Sequence, residues 1–238
     1  MKIIDKVALI TGASKGIGRS IALALAQEGA KIAISARGKE RLSETSAMLR
    51  DKGANVIDYT GDMSREDDIR NFVKKTVDAF GGIDILINNA GLGYFSSIAD
   101  MPTDKWDEMF NINVRGLFLT TRESLPYIRK SGESVIVNIA SLAGRNAFVG
   151  GGGYAATKHA VIGFSRCLML EERKNGVRVL AICPGSVDTE FFNDENNTPE
   201  PKRNSILKPE DVAESVIHMI KMPQRAMVSE IDIRPSNP

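Results

Sequence analysis

Short apolar runs that do not alternate with polar residues recur along this chain, each followed by a longer stretch with helical spacing. KVALITG (6–12) precedes GRSIALALAQEG (18–29), and KIAISA (31–36) precedes KERLSETSAMLRDKG (39–53). NVIDYTG (55–61) leads to residues 64–82, whose Ser64 reads as an N-cap and whose glycines read as a stop. IDILINNAG (83–91) precedes one long helix expected from about Thr103 to Ile128, with Pro126 near its end. SVIVNIAS (134–141), a helix over 154–176, VRVLAICPG (177–185), a helix over 208–221 opening on a proline, and SEIDIRP (229–235) complete the series. A strand that is apolar on both faces must be covered on both faces. Alternating strands and helices satisfy this as a parallel sheet between two helical layers. Right-handed crossovers make that sheet doubly wound. The expectation is one α/β domain over residues 1–238, with a mostly parallel seven-stranded sheet. Residues 192–209 form a long polar irregular stretch, and a short substrate loop is expected around 190–207.

Composition narrows the classes. The chain has 238 residues, a net charge of +1, 42% apolar and 26% charged residues. That balance gives no general pull toward nucleic acid or an anionic membrane. No run reaches the roughly 18 apolar residues of a membrane span. Two cysteines, Cys167 and Cys183, lie in apolar surroundings without metal spacing and read as buried free thiols, so no metal site is expected. A cytoplasmic setting fits these features.

TGASKGIG (11–18) joins the first strand to the first helix. Gly12, Gly16 and Gly18 allow a tight turn and close backbone approach to a pyrophosphate, and the helix start supplies free N–H groups. Where a carboxylate would meet a ribose 2′-hydroxyl, the second strand ends in Ala36–Arg37, and Lys15 lies in the glycine turn. Two cations without an acid suit a 2′-phosphate, which points to NADP(H).

YAATK (154–158) places Tyr154 and Lys158 on one helix face. Tyrosine exchanges protons poorly at neutral pH unless its anion is stabilised, and a nearby ammonium supplies that. Ser141 ends a strand, where this architecture gathers ligands, and its hydroxyl can donate to a developing alkoxide. Gly150–Gly153, ahead of Tyr154, read as an open, adaptable wall over the substrate. His159 and His218 read as surface or packing residues, and Trp106 and the phenylalanines as core or interface.

TGASKGIG, NNAG (88–91), Asn113 in NINVRG, Ser141 in NIAS, YAATK and PGSVDT (184–189) together resemble the short-chain dehydrogenases/reductases, in that family's order and over nearly the whole chain. The resemblance implies a Rossmann-type domain that interconverts a carbonyl and a secondary alcohol. It implies Tyr154 as general acid/base, Lys158 as its activator and a ribose ligand, Ser141 as carbonyl orienter, and Asn113 as holder of a relay water. For the cofactor it implies Gly12, Ser14, Lys15, Gly16, Ile17, Gly18 and Arg37 at the turn, and Asp62 and Met63 at the adenine. Asn88, Asn89, Ala90 and Gly91 would line the cofactor, with Asn89 also supporting the sheet. Pro184, Gly185, Val187 and Thr189 would hold the nicotinamide end. The candidate substrates are 3-oxoacyl thioesters, 3-hydroxy acids, pterins and other small ketones. The ending SEIDIRPSNP looks closer to the hydroxy-acid and pterin branches than to acyl-carrier reductases. A homotetramer or homodimer is expected, because the helices over 103–128 and 154–174 are apolar on more than one face. A catalytically silent NADP-binding regulator and a scaffold remain as other classes.

Overall fold

The computed structural model describes residues 1–192 and 205–236. Seven strands form one wholly parallel sheet: β1 (Val7–Thr11), β2 (Lys31–Ala36), β3 (Val56–Thr60), β4 (Ile85–Asn88), β5 (Ser134–Ile139), β6 (Val177–Pro184) and β7 (Glu230–Ile233). Their spatial order is β3-β2-β1-β4-β5-β6-β7. The direction of travel across the sheet therefore reverses between β1 and β4. The helices are α1 (Gly16–Gln27), α2 (Lys39–Asp51), α3 (Glu66–Phe80), α4 (Thr103–Phe110), α5 (Leu117–Ile128), α6 (Gly152–Glu172) and α7 (Pro209–Lys221).

Successive residues of one strand feed two different cores. Ala8 and Ile10 of β1 join Ile21, Leu25, Leu42 and Val216, under α1, α2 and α7. Leu9, between them, joins Phe72, Leu86, Leu119 and Leu168, under α3, α5 and α6. This two-sided burial is the physical reason the strands carry no polar alternation.

Local signals hold at several ends. Gly29 and Gly81 adopt left-handed backbone after α1 and α3. Pro209 opens α7, and Asp211 accepts from the Lys208 N–H at 2.7 Å. Others differ from expectation. Ser64 does not cap α3: Arg65 holds that position without a side-chain bond, while the Ser64 N–H donates to Asp62 Oδ1 at 2.9 Å. Glu66, Asp67 and Asp68 instead complement the helix dipole. The strand expected over 83–91 is only Ile85–Asn88, because Asn89 and Ala90 turn their N–H groups to Thr11 Oγ1 at 3.1 and 3.0 Å. Cys183 is buried, but Cys167 is exposed on α6. His159 and His218 are exposed, as read from the sequence.

The expected single helix over 103–128 is interrupted. Asn111–Gly116 form a π-helical turn between α4 and α5. Such turns add a residue to the helix and recur at functional sites. Gly116 lets this turn meet the chain after β3: a Cβ there would stand 2.2 Å from the Met63 carbonyl oxygen. An alanine in a helix ordinarily gains up to about 1 kcal/mol over glycine. Here the obstacle is backbone and cannot swing aside. Gly116→Ala is expected to destabilise the protein by about 1–3 kcal/mol, the usual cost of overpacking, read from urea denaturation midpoints; a neutral or stabilised variant would contradict this packing.

Candidate functional site

The reversal between β1 and β4 leaves a crevice beyond the carboxyl ends of the strands, where ligands gather in open α/β sheets. A cleft of about 1190 Å³ opens there. Small-molecule sites usually span about 300–1,000 Å³, so this cleft has room for a large ligand beside a small one.

The glycine turn forms one wall. Gly12 has φ +66°, and a Cβ there would stand 2.8 Å from the Ala90 Cα. Gly16 has φ +53° and faces the Thr189 side chain. The turn is braced from β4, since Asn89 Nδ2 donates to the Thr11 and Gly12 carbonyls, each at 2.9 Å. Asn89 thus ties the end of β4 to the end of β1, while Asn88 braces the sheet interior. Asn88 Nδ2 donates to Thr121 Oγ1 at 2.9 Å and to Asn138 Oδ1 at 2.8 Å.

Ser14, Lys15, Ile17, Arg37, Asp62, Met63, Gly91, Pro184, Gly185 and Val187 also line the cleft. Gly18, Asn88 and Asn113 do not. Gly18 is a contact glycine, where a Cβ would fall 2.4 Å from Asn89 Nδ2. Asn113, on the π-helical turn, is buried behind Gly91. Its amide donates to Leu92 O at 2.8 Å and Thr157 Oγ1 at 3.0 Å, and its Oδ1 accepts from the Leu92 N–H at 2.9 Å. The side chain thereby ties the loop after β4 to α6.

Ser141, Tyr154 and Lys158 meet in the same cleft. Ser141 follows β5, and its Oγ accepts from the Ala143 N–H at 3.1 Å. Tyr154 lies in the first turn of α6. Burial pushes its phenol up to about 12, opposed by a hydrogen bond with Ser141. Lys158, one turn later, is buried, and its Nζ donates to the Ile139 carbonyl at 2.9 Å, 5.7 Å from the Tyr154 ring centre. Burial draws this amine down to about 8. Desolvation thus opposes the charged form of both groups, the phenolate and the ammonium.

The glycine run is not an open wall. Gly150 has φ +76°, but Cβ atoms at Gly151, Gly152 and Gly153 would reach Phe148, Ile98 and Met109 at 2.3, 2.4 and 2.5 Å. These glycines let the start of α6 seat closely, placing Tyr154. Several cleft residues were not found from sequence. Phe95 and Phe191 have ring centres 5.4 and 5.5 Å from that of Tyr154, and Phe148 and Phe192 extend this wall. Phenylalanines look alike in sequence whether they serve a core or a wall, although Phe191 and Phe192 lie just beyond the PGSVDT segment, after Glu190.

The cationic end of the cleft also differs. Arg41, one helical turn after Arg37, joins Lys15 there, and carboxylates arrive from distant segments. Glu190 pairs with Lys15 at 3.1 Å and with Arg41 at 2.5 Å, and Glu108 pairs with Arg37 at 3.6 Å. The cations are not free of acids, as the strand end alone suggested. Of the loop expected around 190–207, residues 193–204 lie outside the described residues. Its two ends are joined, with Asp188 N–H donating to Leu207 O at 2.7 Å and Leu207 N–H to Ser186 O at 3.0 Å.

The pit of glycines facing Ala90 and Thr189, with cations at one end and a tyrosine at the other, fits a dinucleotide by close approach and charge. No described helix is long and apolar enough to cross a membrane. A family model described as short chain dehydrogenase matches residues 6–200. An uncharacterized oxidoreductase of Staphylococcus aureus (strain MRSA252) is 36% identical over 231 residues, 97% of either chain. The alcohol dehydrogenase of the archaeon Thermococcus sibiricus, solved with 5-hydroxy-NADP, is 34% identical with a TM-score of 0.89, covering 97% of both chains. The 3-ketoacyl-(acyl-carrier-protein) reductase of Brucella melitensis, solved with NADH, is 31% identical with a TM-score of 0.88 over the same 97% shares.

Lys158 gives the site a measurable pH signature. Between about pH 8 and the ordinary lysine value of 10.5, the unfolded chain binds a proton that the folded chain has released. That difference makes stability of the cofactor-free protein rise with pH across this interval. Lys158→Met is expected to flatten the slope relative to the unmodified protein, measured by urea unfolding from pH 7.5 to 10; parallel slopes would show that the amine is charged in the fold.

Proposed function

This chain belongs to the short chain dehydrogenase family, and on that premise we propose that it is an NADPH-dependent oxidoreductase interconverting a carbonyl and a secondary alcohol. The observation that carries the proposal is the convergence of Ser141, Tyr154 and Lys158 at the strand ends, in one cleft with the glycine turn. The nicotinamide supplies the hydride. Ser141 donates a hydrogen bond to the substrate carbonyl oxygen and holds it beside Tyr154. As negative charge develops on that oxygen, the Tyr154 hydroxyl delivers its proton to it. A neutral phenol at neutral pH is the correct form for this step. Lys158 holds the ribose and offers its charge to the phenolate left behind. Asn113 fixes the Leu92 loop and α6 relative to each other.

Kinship alone does not choose the cofactor, since one neighbour was solved with 5-hydroxy-NADP and another with NADH. Lys15, Arg37 and Arg41 favour the 2′-phosphate form through charge-assisted hydrogen bonds. The wall of Phe95, Phe148, Phe191 and Phe192 favours an uncharged ketone over a hydroxy acid, whose carboxylate would lose water against aromatic rings. Arg234, also at the cleft, already faces Asp232 at 3.4 Å.

The test is NADPH oxidation over a carbonyl panel that includes cyclic and aryl ketones, hydroxy-acid precursors and 3-oxoacyl thioesters. Tyr154→Phe keeps the ring and removes only the proton. It is expected to lower kcat by ~10²–10⁴, the usual share of a general acid, while NADPH still binds. Near-normal turnover in that variant would remove Tyr154 from the reaction. Binding of NADPH without turnover of any carbonyl would favour the silent regulator.

We also propose that the protein is a homotetramer or homodimer. Phe118 on α5 and Leu170 on α6 are 43% and 59% exposed, with Phe164 and Met169 partly buried nearby on α6. A two-fold contact would cover this apolar surface. Light scattering at micromolar concentration should give a multiple of the 25.9 kDa chain mass; a stable monomer would refute it.

A further inference from the structure

We propose that Glu190 is a resident occupant of the anion site formed by Lys15 and Arg41. A cofactor 2′-phosphate must displace it, so this carboxylate sets how strongly the protein distinguishes NADP(H) from NAD(H). The inference rests on the reading above that these cations face the adenosine ribose.

Three segments far apart in sequence meet here. Lys15 comes from the glycine turn, Arg41 from the first turn of α2, and Glu190 from the segment after β6 on the opposite wall. Both cations donate to the same oxygen, Lys15 Nζ to Glu190 Oε2 at 3.1 Å and Arg41 Nη1 at 2.5 Å. That is the arrangement in which two basic side chains hold one anionic oxygen. Lys15, Arg41 and Glu190 are 43, 53 and 56% exposed, so no packing prevents exchange with an incoming anion. The neighbouring charges have other partners: Arg37 faces Glu108 and Arg19 faces Glu44. The two cations hold the Glu190 carboxyl below the usual range, which keeps it ionised and competitive at neutral pH.

A carboxylate brings one negative charge, and a phosphate monoester brings about 1.5 to 2. Exchange therefore favours the phosphate, less than an empty pair of cations would. NAD(H) has no phosphate there and leaves Glu190 in place. Glu190 also stands between Thr189, which touches the glycine turn at Gly16, and Phe191, whose ring lies 5.5 Å from that of Tyr154.

Isothermal titration of NADP⁺ and NAD⁺, without substrate, tests this on the full chain. Glu190→Gln removes the competing charge from an exposed position. It is expected to tighten NADP⁺ by about three- to tenfold, as suits two exposed ion pairs, and to leave NAD⁺ within about twofold. The gain should shrink as salt is raised. Equal shifts for both cofactors, or weaker NADP⁺ binding in Glu190→Gln, would overturn the proposal. Lys15→Met separates it from the reading beneath. If that variant weakens NADP⁺ selectively but Glu190→Gln leaves the NADP⁺/NAD⁺ ratio unchanged, the cations hold the phosphate and Glu190 does not compete. If Lys15→Met leaves the ratio unchanged, the assignment of the cations has failed and the competition with it.

Discussion

Everything at the site depends on the reversal of strand order between β1 and β4. A parallel sheet covered on both faces can expose backbone to a ligand only at its strand ends. The ends of β1 and β4 are where the covering chain departs to opposite sides. That departure turns the Asn89 and Ala90 N–H groups away from the ladder and onto Thr11 Oγ1. The same point brings the Ala90 Cα against Gly12 so closely that no side chain fits between them. The glycine turn is thus shaped as much by β4 as by its own residues.

Behind the cleft, a buried polar line holds the parts in register. Asn88 and Asn138 are direct partners on β4 and β5. Their amides join Thr121 of α5 at one end and Ser165 of α6 at the other, and Ser165 in turn donates to the Val161 carbonyl at 2.7 Å. Each such bond contributes only about 1 kcal/mol net, but leaving a buried member unpaired costs more. Sliding α6 along the sheet would break the Asn138–Ser165 bond and the Asn113–Thr157 bond together. Tyr154 and Lys158 ride on that helix, so a polar network away from the chemistry fixes where they stand.

The sequence made the architecture legible because two-sided burial leaves a direct trace, apolar runs without alternation. The glycine turn and the YAATK spacing were legible for the same local reason. What stayed hidden was set by contacts between distant segments. The π-helical turn around Asn113 has no marker in NINVRG that separates it from an ordinary helix; the approach of Gly116 to Met63 that accompanies it is a contact between distant segments. The glycines before Tyr154 suggested freedom, yet three of them are small because Phe148, Ile98 and Met109 stand where side chains would go. Arg41 had a weak signal, one turn beyond Arg37, but Glu190 had none.

The charges at the two ends of the cleft follow opposite rules. At the cationic end the groups are half exposed, and Lys15 and Arg41 hold the Glu190 carboxyl below its ordinary range. At the tyrosine end burial governs, and it pushes the phenol and the amine toward their neutral forms. A sequence rule that places a lysine four residues after a tyrosine describes reach, not protonation. Lys158 Nζ is satisfied by the Ile139 carbonyl, at the end of the strand that Ser141 follows. The amine is therefore positioned by the sheet rather than by the tyrosine one turn before it. In the cleft the phenol therefore keeps its proton at neutral pH, and ionising it requires more positive charge near the ring than Lys158 supplies across 5.7 Å.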